Sequence, residues 1–268
     1  MLDFDITNLR ATFNRAKPFN DKNNQHYKNV RSIIVRCNLD PTLLDKNYET
    51  LKAEPCEGEF AEGTYYPKTN TISYRNEDSI DHELFHVASC DRDKANPTQG
   101  IMRFNGIKLV GRGLNEGITD MFACMANSNY KAPYMLQKAC AEILGFCFGM
   151  EIFANYFKND AKGFNKDLES KGISGFAIAD LIETLDEYND SNEILFANPD
   201  KQEAYDDLLE KFEDVLGAMN EIILKSPKKE KAAQRFKSAT DIIRTNSLRR
   251  WWKPVFTLVI RPASGTRT

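Results

Sequence analysis

The chain has 268 residues, 41% hydrophobic and 28% charged, with a net charge of −3. That is enough apolar material for a folded core, which excludes a disordered or collagen-like chain, and the charge gives no general field for nucleic acid. The longest apolar stretch, Ile143 to Met150, is bounded by Glu142 and Glu151 and is far too short to span a bilayer.

The N-terminus, Met1-Leu2-Asp3-Phe4-Asp5, has no basic start followed by an apolar run, so no secretory signal is read there. The six cysteines form no CxxC pair, and several sit in apolar helical patterns, as reduced and buried thiols do. The expected setting is cytoplasmic, or exported without a cleavable signal peptide. Charge is unevenly spread. From Lys225 to Thr268 there are 12 basic residues against Glu230 and Asp241, a surplus of ten. A solvated helix face accounts for most such runs; docking on an acidic or anionic surface is the alternative.

In chain order, residues 1–50 are polar, with short apolar clusters such as Ser32-Ile33-Ile34-Val35, which fits either a strand or a short helix. Glu59–Tyr66 and Thr71–Arg75 read as strands joined by the turn Pro67-Lys68-Thr69-Asn70, which makes a β-hairpin. Asn76 to Ser79 supply cap candidates for a helix over Ser79–Cys90, with Leu84, Phe85, Val87 and Ala88 facing a core. Asn96–Gly113 is glycine-rich and reads as a loop, with room for a small hairpin at Asn105-Gly106. Helical patterns follow over Leu114–Asn127, Ala132–Asn159, Gly175–Asn189, Gln202–Lys225 and Lys229–Thr245. Pro254–Ile260 reads as a strand or extended tail.

The chemistry is concentrated in His82-Glu83-Leu84-Phe85-His86, an HExxH motif. Positions i and i+4 lie one turn apart on one helical face, so both imidazoles can reach one zinc ion. Glu83 then stands beside the metal as a general base. The bland alternative is a pair of surface histidines on an amphipathic helix. A catalytic zinc takes a third protein ligand. Ser89 and Arg92 stand where a metzincin would have Gly and His, so that pattern fails.

HELFH followed by Asn115-Glu116-Gly117-Ile118-Thr119-Asp120 closely resembles the gluzincins, the thermolysin-like metallopeptidases, over roughly residues 59–127. The resemblance implies Glu116 as the third zinc ligand and Asp120 as an acid that orients a ligand histidine. It also implies that Phe60–Tyr65 is an edge strand binding substrate in extended form, with Thr71–Arg75 as its partner. The thermolysin type has a further histidine for the oxyanion, and none follows His86 here. Tyr130, Tyr134 and Tyr156 are the candidates for that role, with Tyr134 preferred. Cys90, one turn beyond His86, is a weaker zinc-ligand candidate.

The expectation is an α+β protein. Residues 1–90 form an α/β lobe ending in the HExxH helix, residues 91–248 form a helical lobe with a cleft between the two, and residues 249–268 form a tail. The expected activity is that of a zinc metalloendopeptidase, a hydrolase with one catalytic Zn²⁺ that acts on a peptide or protein substrate without nucleic acid or a transmembrane segment. The competing readings are an inactive zinc-binding pseudo-peptidase and a helical interaction module.

Overall fold

The computed structural model describes residues 16–56 and 63–256, with side chains as far as residue 245. The Ser32–Val35 cluster is helical and belongs to α1, Gln25–Arg36. The Asn24 side chain accepts from the His26 and Tyr27 backbone N–H groups and starts the helix, and Tyr27, Val30, Ile33 and Ile34 line its buried face. A short helix that the sequence did not announce, α2 (Thr42–Tyr48), follows.

Four strands make the main sheet: β1 (Lys17–Pro18), β2 (Lys52–Pro55), β3 (Gly63–Tyr66) and β4 (Thr71–Tyr74), in the order β1-β2-β4-β3. β3 and β4 are the expected hairpin, antiparallel, with Tyr66 opposite Thr71. Asn70 closes its turn at φ 51°, a left-handed conformation that Asn tolerates better than most residues. β2 runs parallel to β4, and β1 antiparallel to β2. Among the described residues β3 is therefore at the sheet edge. The first part of the expected strand, residues 59–62, lies outside the described residues.

A 3₁₀ turn, Glu77–Ser79, leads from the sheet into α3, Ile80–Ala88. The Asn76 side chain accepts from the Asp78 backbone N–H at 3.0 Å and caps this entry. All nine residues of α3 are buried. The helix packs on β3 and β4 and touches α1, α2 and the next helix. It is a central element and not a surface amphipath.

The glycine-rich connection does contain a hairpin, β5 (Arg103–Phe104) with β6 (Leu109–Val110). Helix α4 (Arg112–Ala126) starts after Gly111, whose φ of 89° a side chain would strain. Gly117 allows close packing: a Cβ there would lie 2.3 Å from the Gln137 carbonyl of the next helix.

The expected Ala132–Asn159 helix is shorter and broken. α5 spans Met135–Phe148; Gly149 (φ 92°, ψ 157°) ends it, and a 3₁₀ turn, Met150–Phe153, follows. α6 (Ala161–Ser170) was not anticipated, and α7 (Gly175–Ala197) runs beyond the expected Asn189. α8 is Gln202–Ile223. α9 spans Lys229–Phe256, so the strand or tail expected from Pro254 is helical at its start. Residues 257–268 lie outside the described residues.

The fold is mixed α+β, with a small sheet and a mainly helical C-terminal part. One hydrophobic core runs through it, from Tyr27 to Ile243. Beneath α3 and α4 the core is aromatic. Phe85 packs on Phe122 with ring centroids 5.6 Å apart, and Phe122 on Phe157 at 5.1 Å. No helix among the described residues is long and apolar enough to cross a membrane.

Candidate metal centre

α3 and α4 meet face to face, which brings the two sequence motifs together. His82 Nε2 lies 3.0 Å from His86 Nε2. Glu116 Oε2 lies 3.2 Å from the first and 3.3 Å from the second. Each of these residues offers one ligand atom, and the three atoms lie within 4.8 Å of one another. Both histidines are buried, at 5% and 4% exposure, which removes the reading of them as surface residues.

Two imidazole nitrogens and a carboxylate oxygen are a donor set suited to zinc. Three lone-pair atoms converging in a buried place are costly unless a proton or cation lies among them, so these residues fit a metal ion. Burial disfavours charge on His82, but the hydrogen bonds to Asp120 and Glu116 outweigh it and hold its pKa well above the ordinary value. Burial would also raise Glu116, but His86 and His82 overcome this and pull its carboxyl far below the usual range.

Asp120 stands where the motif places it. It is fully buried, with Oδ1 2.8 Å from His82 Nδ1. This carboxylate–imidazole contact points His82 Nε2 toward His86 and Glu116. Glu83 is buried beside the cluster and does not belong to it. Burial raises its pKa, against the pull of His82 and His86. The Tyr65 backbone N–H hydrogen-bonds the Glu83 carboxyl, and a Cβ on Gly63 would come within 2.8 Å of Glu83 Oε1. Strand β3 therefore lies directly against Glu83.

The three tyrosines separate cleanly. Tyr156 is fully buried, with its hydroxyl 2.7 Å from Thr119 Oγ1, and faces the core. Tyr130 donates to Asp120 Oδ1 at 2.6 Å. The Tyr134 ring stacks near His82, with centroids 6.3 Å apart, and its backbone N–H donates to Asp120 Oδ2 at 2.9 Å. Burial raises the Tyr134 pKa, with Glu116 adding to the effect, so its hydroxyl keeps its proton. Cys90 is not in the cluster; burial pushes its thiol up to about 12, which suits an inert core thiol. All six cysteines are free.

Sequence reasoning missed the third histidine. His26, on α1, contacts Asp81 Oδ1 through Nδ1 at 2.9 Å, one residue before His82. It also missed Asn47, whose side-chain Nδ2 donates to the Val87 and Cys90 carbonyls at the end of α3, at 2.9 and 2.7 Å. Neither has a local signal, because each partner is distant in sequence. The Asn24 cap is a local hint that His26 lies in the first turn of a helix.

What the geometry defines is a buried His–His–Glu site able to hold a metal ion. No protein-family model matches this chain, and no curated protein or solved structure matches it.

Proposed function

We propose that this chain is a zinc-dependent peptidase of the gluzincin type. The observation that carries the reading is the convergence of His82, His86 and Glu116 from two helices, with the buried Glu83 carboxyl beside them. His82 Nε2, His86 Nε2 and Glu116 Oε2 would hold the ion. Zinc bound there would supply Lewis acidity, making water a nucleophile near neutral pH and polarising a carbonyl.

The rest is done by side chains. Glu83 takes the proton released as water attacks the scissile carbonyl and delivers it to the departing amine. Asp120 keeps His82 turned toward the ligand cluster. Tyr134 is the candidate donor to the developing oxyanion, because its ring lies over His82 and Tyr130 and Tyr156 have their hydroxyls engaged elsewhere. The edge strand β3 offers backbone groups to an extended peptide, which suits a substrate recognised mainly through its main chain. At Tyr65 the N–H is engaged with the Glu83 carboxyl and the carbonyl with Gln99 Nε2 at 3.2 Å, so a peptide pairing at that residue must displace both side chains.

The test combines metal analysis of the purified protein with cleavage of a random peptide library. The parent should carry one zinc per chain and cleave. Glu83→Gln should keep the zinc and lose cleavage by about 10²-fold or more, the usual contribution of a general base. Absence of stoichiometric zinc refutes the reading, as does a Glu83→Gln variant that cleaves like the parent. Zinc bound without any cleavage by the parent marks a binding module instead.

A further inference from the structure

Asp120 collects donors from three places. His82 Nδ1 reaches its Oδ1 at 2.8 Å, the Tyr130 hydroxyl reaches the same oxygen at 2.6 Å, and the Tyr134 backbone N–H reaches Oδ2 at 2.9 Å. Tyr130 Oη is also only 2.9 Å from His82 Nδ1. The loop after α4 is shaped for this. Asn127 Oδ1 accepts from the Asn129 backbone N–H at 2.9 Å, and the Tyr130 N–H donates to the Asn127 carbonyl at 3.1 Å, turning the chain back toward the helix it has just left. Tyr130 and Tyr134 then both arrive at Asp120.

A phenol has one proton, and Tyr130 gives its proton to Asp120. It has none to offer a substrate oxygen. What it does have is a contact with both members of the His82–Asp120 pair, all three residues being at most 8% exposed. His86 lacks any such support: its Nδ1 is buried and has no hydrogen-bond partner among the described residues. Of the two imidazoles, only His82 is therefore held through its far nitrogen among the described residues.

We propose that Tyr130 is a positioning residue for the metal, holding Asp120 and the His82 ring so that Nε2 faces His86 and Glu116. The proposal rests on the zinc reading above. Its readout is affinity, measured without substrate: metal-free protein is titrated with Zn²⁺ in competition with a chromophoric chelator. Tyr130→Phe keeps the buried ring and should weaken zinc binding about tenfold, at the low end of what outer partners of metal ligands contribute. Tyr48→Phe is the control. That phenol is also buried and bonds the Asp21 carbonyl rather than a candidate ligand or Asp120, so the zinc affinity of the variant should match the parent's.

Asp120→Asn provides a second reading, because it tests whether Tyr130 acts through the carboxylate. It should weaken zinc binding by itself, and Tyr130→Phe added to it should cost much less than in the parent. An unchanged dissociation constant in Tyr130→Phe, an equal loss in Tyr48→Phe, or full additivity with Asp120→Asn each overturns the role of Tyr130 while leaving the zinc site standing. A parent protein that takes up no zinc overturns both.

Discussion

Asn47 offers the sharpest test of how the HExxH helix is held. Its side chain, 2% exposed, donates to two carbonyls at the C-terminal end of α3, and its own carbonyl accepts from Asn70 Nδ2 at 2.7 Å. Asn47→Ala removes both side-chain bonds; the Val87 carbonyl keeps the Cys90 N–H at 3.4 Å, and the Cys90 carbonyl loses its side-chain donor in a dry place. Each net hydrogen bond is worth about 0.5–1.5 kcal/mol, and a buried acceptor left wanting costs about 1–3 kcal/mol. The combined loss should be about 2–4 kcal/mol. At about 2–4 °C per kcal/mol for a chain of this size, Tm falls by about 5–15 °C. Asn47→Asp should be worse at neutral pH, because it aims a carboxylate at two carbonyl oxygens, and should recover in part at acid pH, where the protonated acid can donate. Thermal melts by circular dichroism with chelator present measure this without contribution from metal. A Tm for Asn47→Ala within about 2 °C of the parent, or an Asp variant more stable than the Ala variant at pH 7, would refute the reasoning.

Three further outcomes are expected. Glu116→Ala should abolish stoichiometric zinc uptake in a dialysis and metal-content assay; retention of one zinc would remove Glu116 from the ligand set. Gly63→Ala would place a methyl 2.8 Å from Glu83 Oε1 and 2.9 Å from Ser79 Oγ. It should lower kcat about tenfold or more through displacement of Glu83 while leaving zinc affinity near that of the parent, and an unaltered kcat would show that Glu83 does not depend on β3. The hydrogen bond to Asp81 raises the pKa of His26 above 6.5, against burial. Its stabilising effect is complete below about 6.5, the unfolded value, and is lost as pH rises through the higher folded value. In urea melts with chelator, the deficit of His26→Gln relative to the parent should be largest at acid pH and shrink as pH rises. A deficit that grows with pH would reverse the assignment.

The features legible in the sequence are those written at short range. HELFH and Asn115–Asp120 each use i, i+4 spacing on one helix, so residue types and interval suffice to bring His82 to His86, and Glu116 to the same face as Asp120. The β3–β4 hairpin was readable for the same reason, through its turn at Pro67–Asn70. Ser32–Val35 was undecidable as a four-residue window. Widening it to Tyr27, Val30, Ile33 and Ile34 reveals the helical period that the buried face follows. β2 left no comparable trace, because a four-residue strand paired in parallel has no turn to mark it. The tyrosine roles were beyond local reading. Tyr130 and Tyr134 are placed by the connection between α4 and α5, and Tyr156 by the segment after the 3₁₀ turn, so their roles depend on packing between distant parts of the chain.

The helix that carries Glu116 begins on a glycine and has no side-chain cap of its own. Its first amides are instead satisfied by Asp186, far along α7: Oδ2 accepts from the Gly111 N–H and Oδ1 from the Gly113 N–H, both at 2.7 Å and across 75 and 73 residues of chain. All three candidate ligands leave the ribosome well before Asp186 does. A nascent chain or truncated fragment ending short of α7 would carry the complete ligand set on a helix with a frayed start. The start of the Glu116 helix is thus tied to a residue in the C-terminal half, and the HExxH–Glu segment alone lacks the acceptor for these two amides.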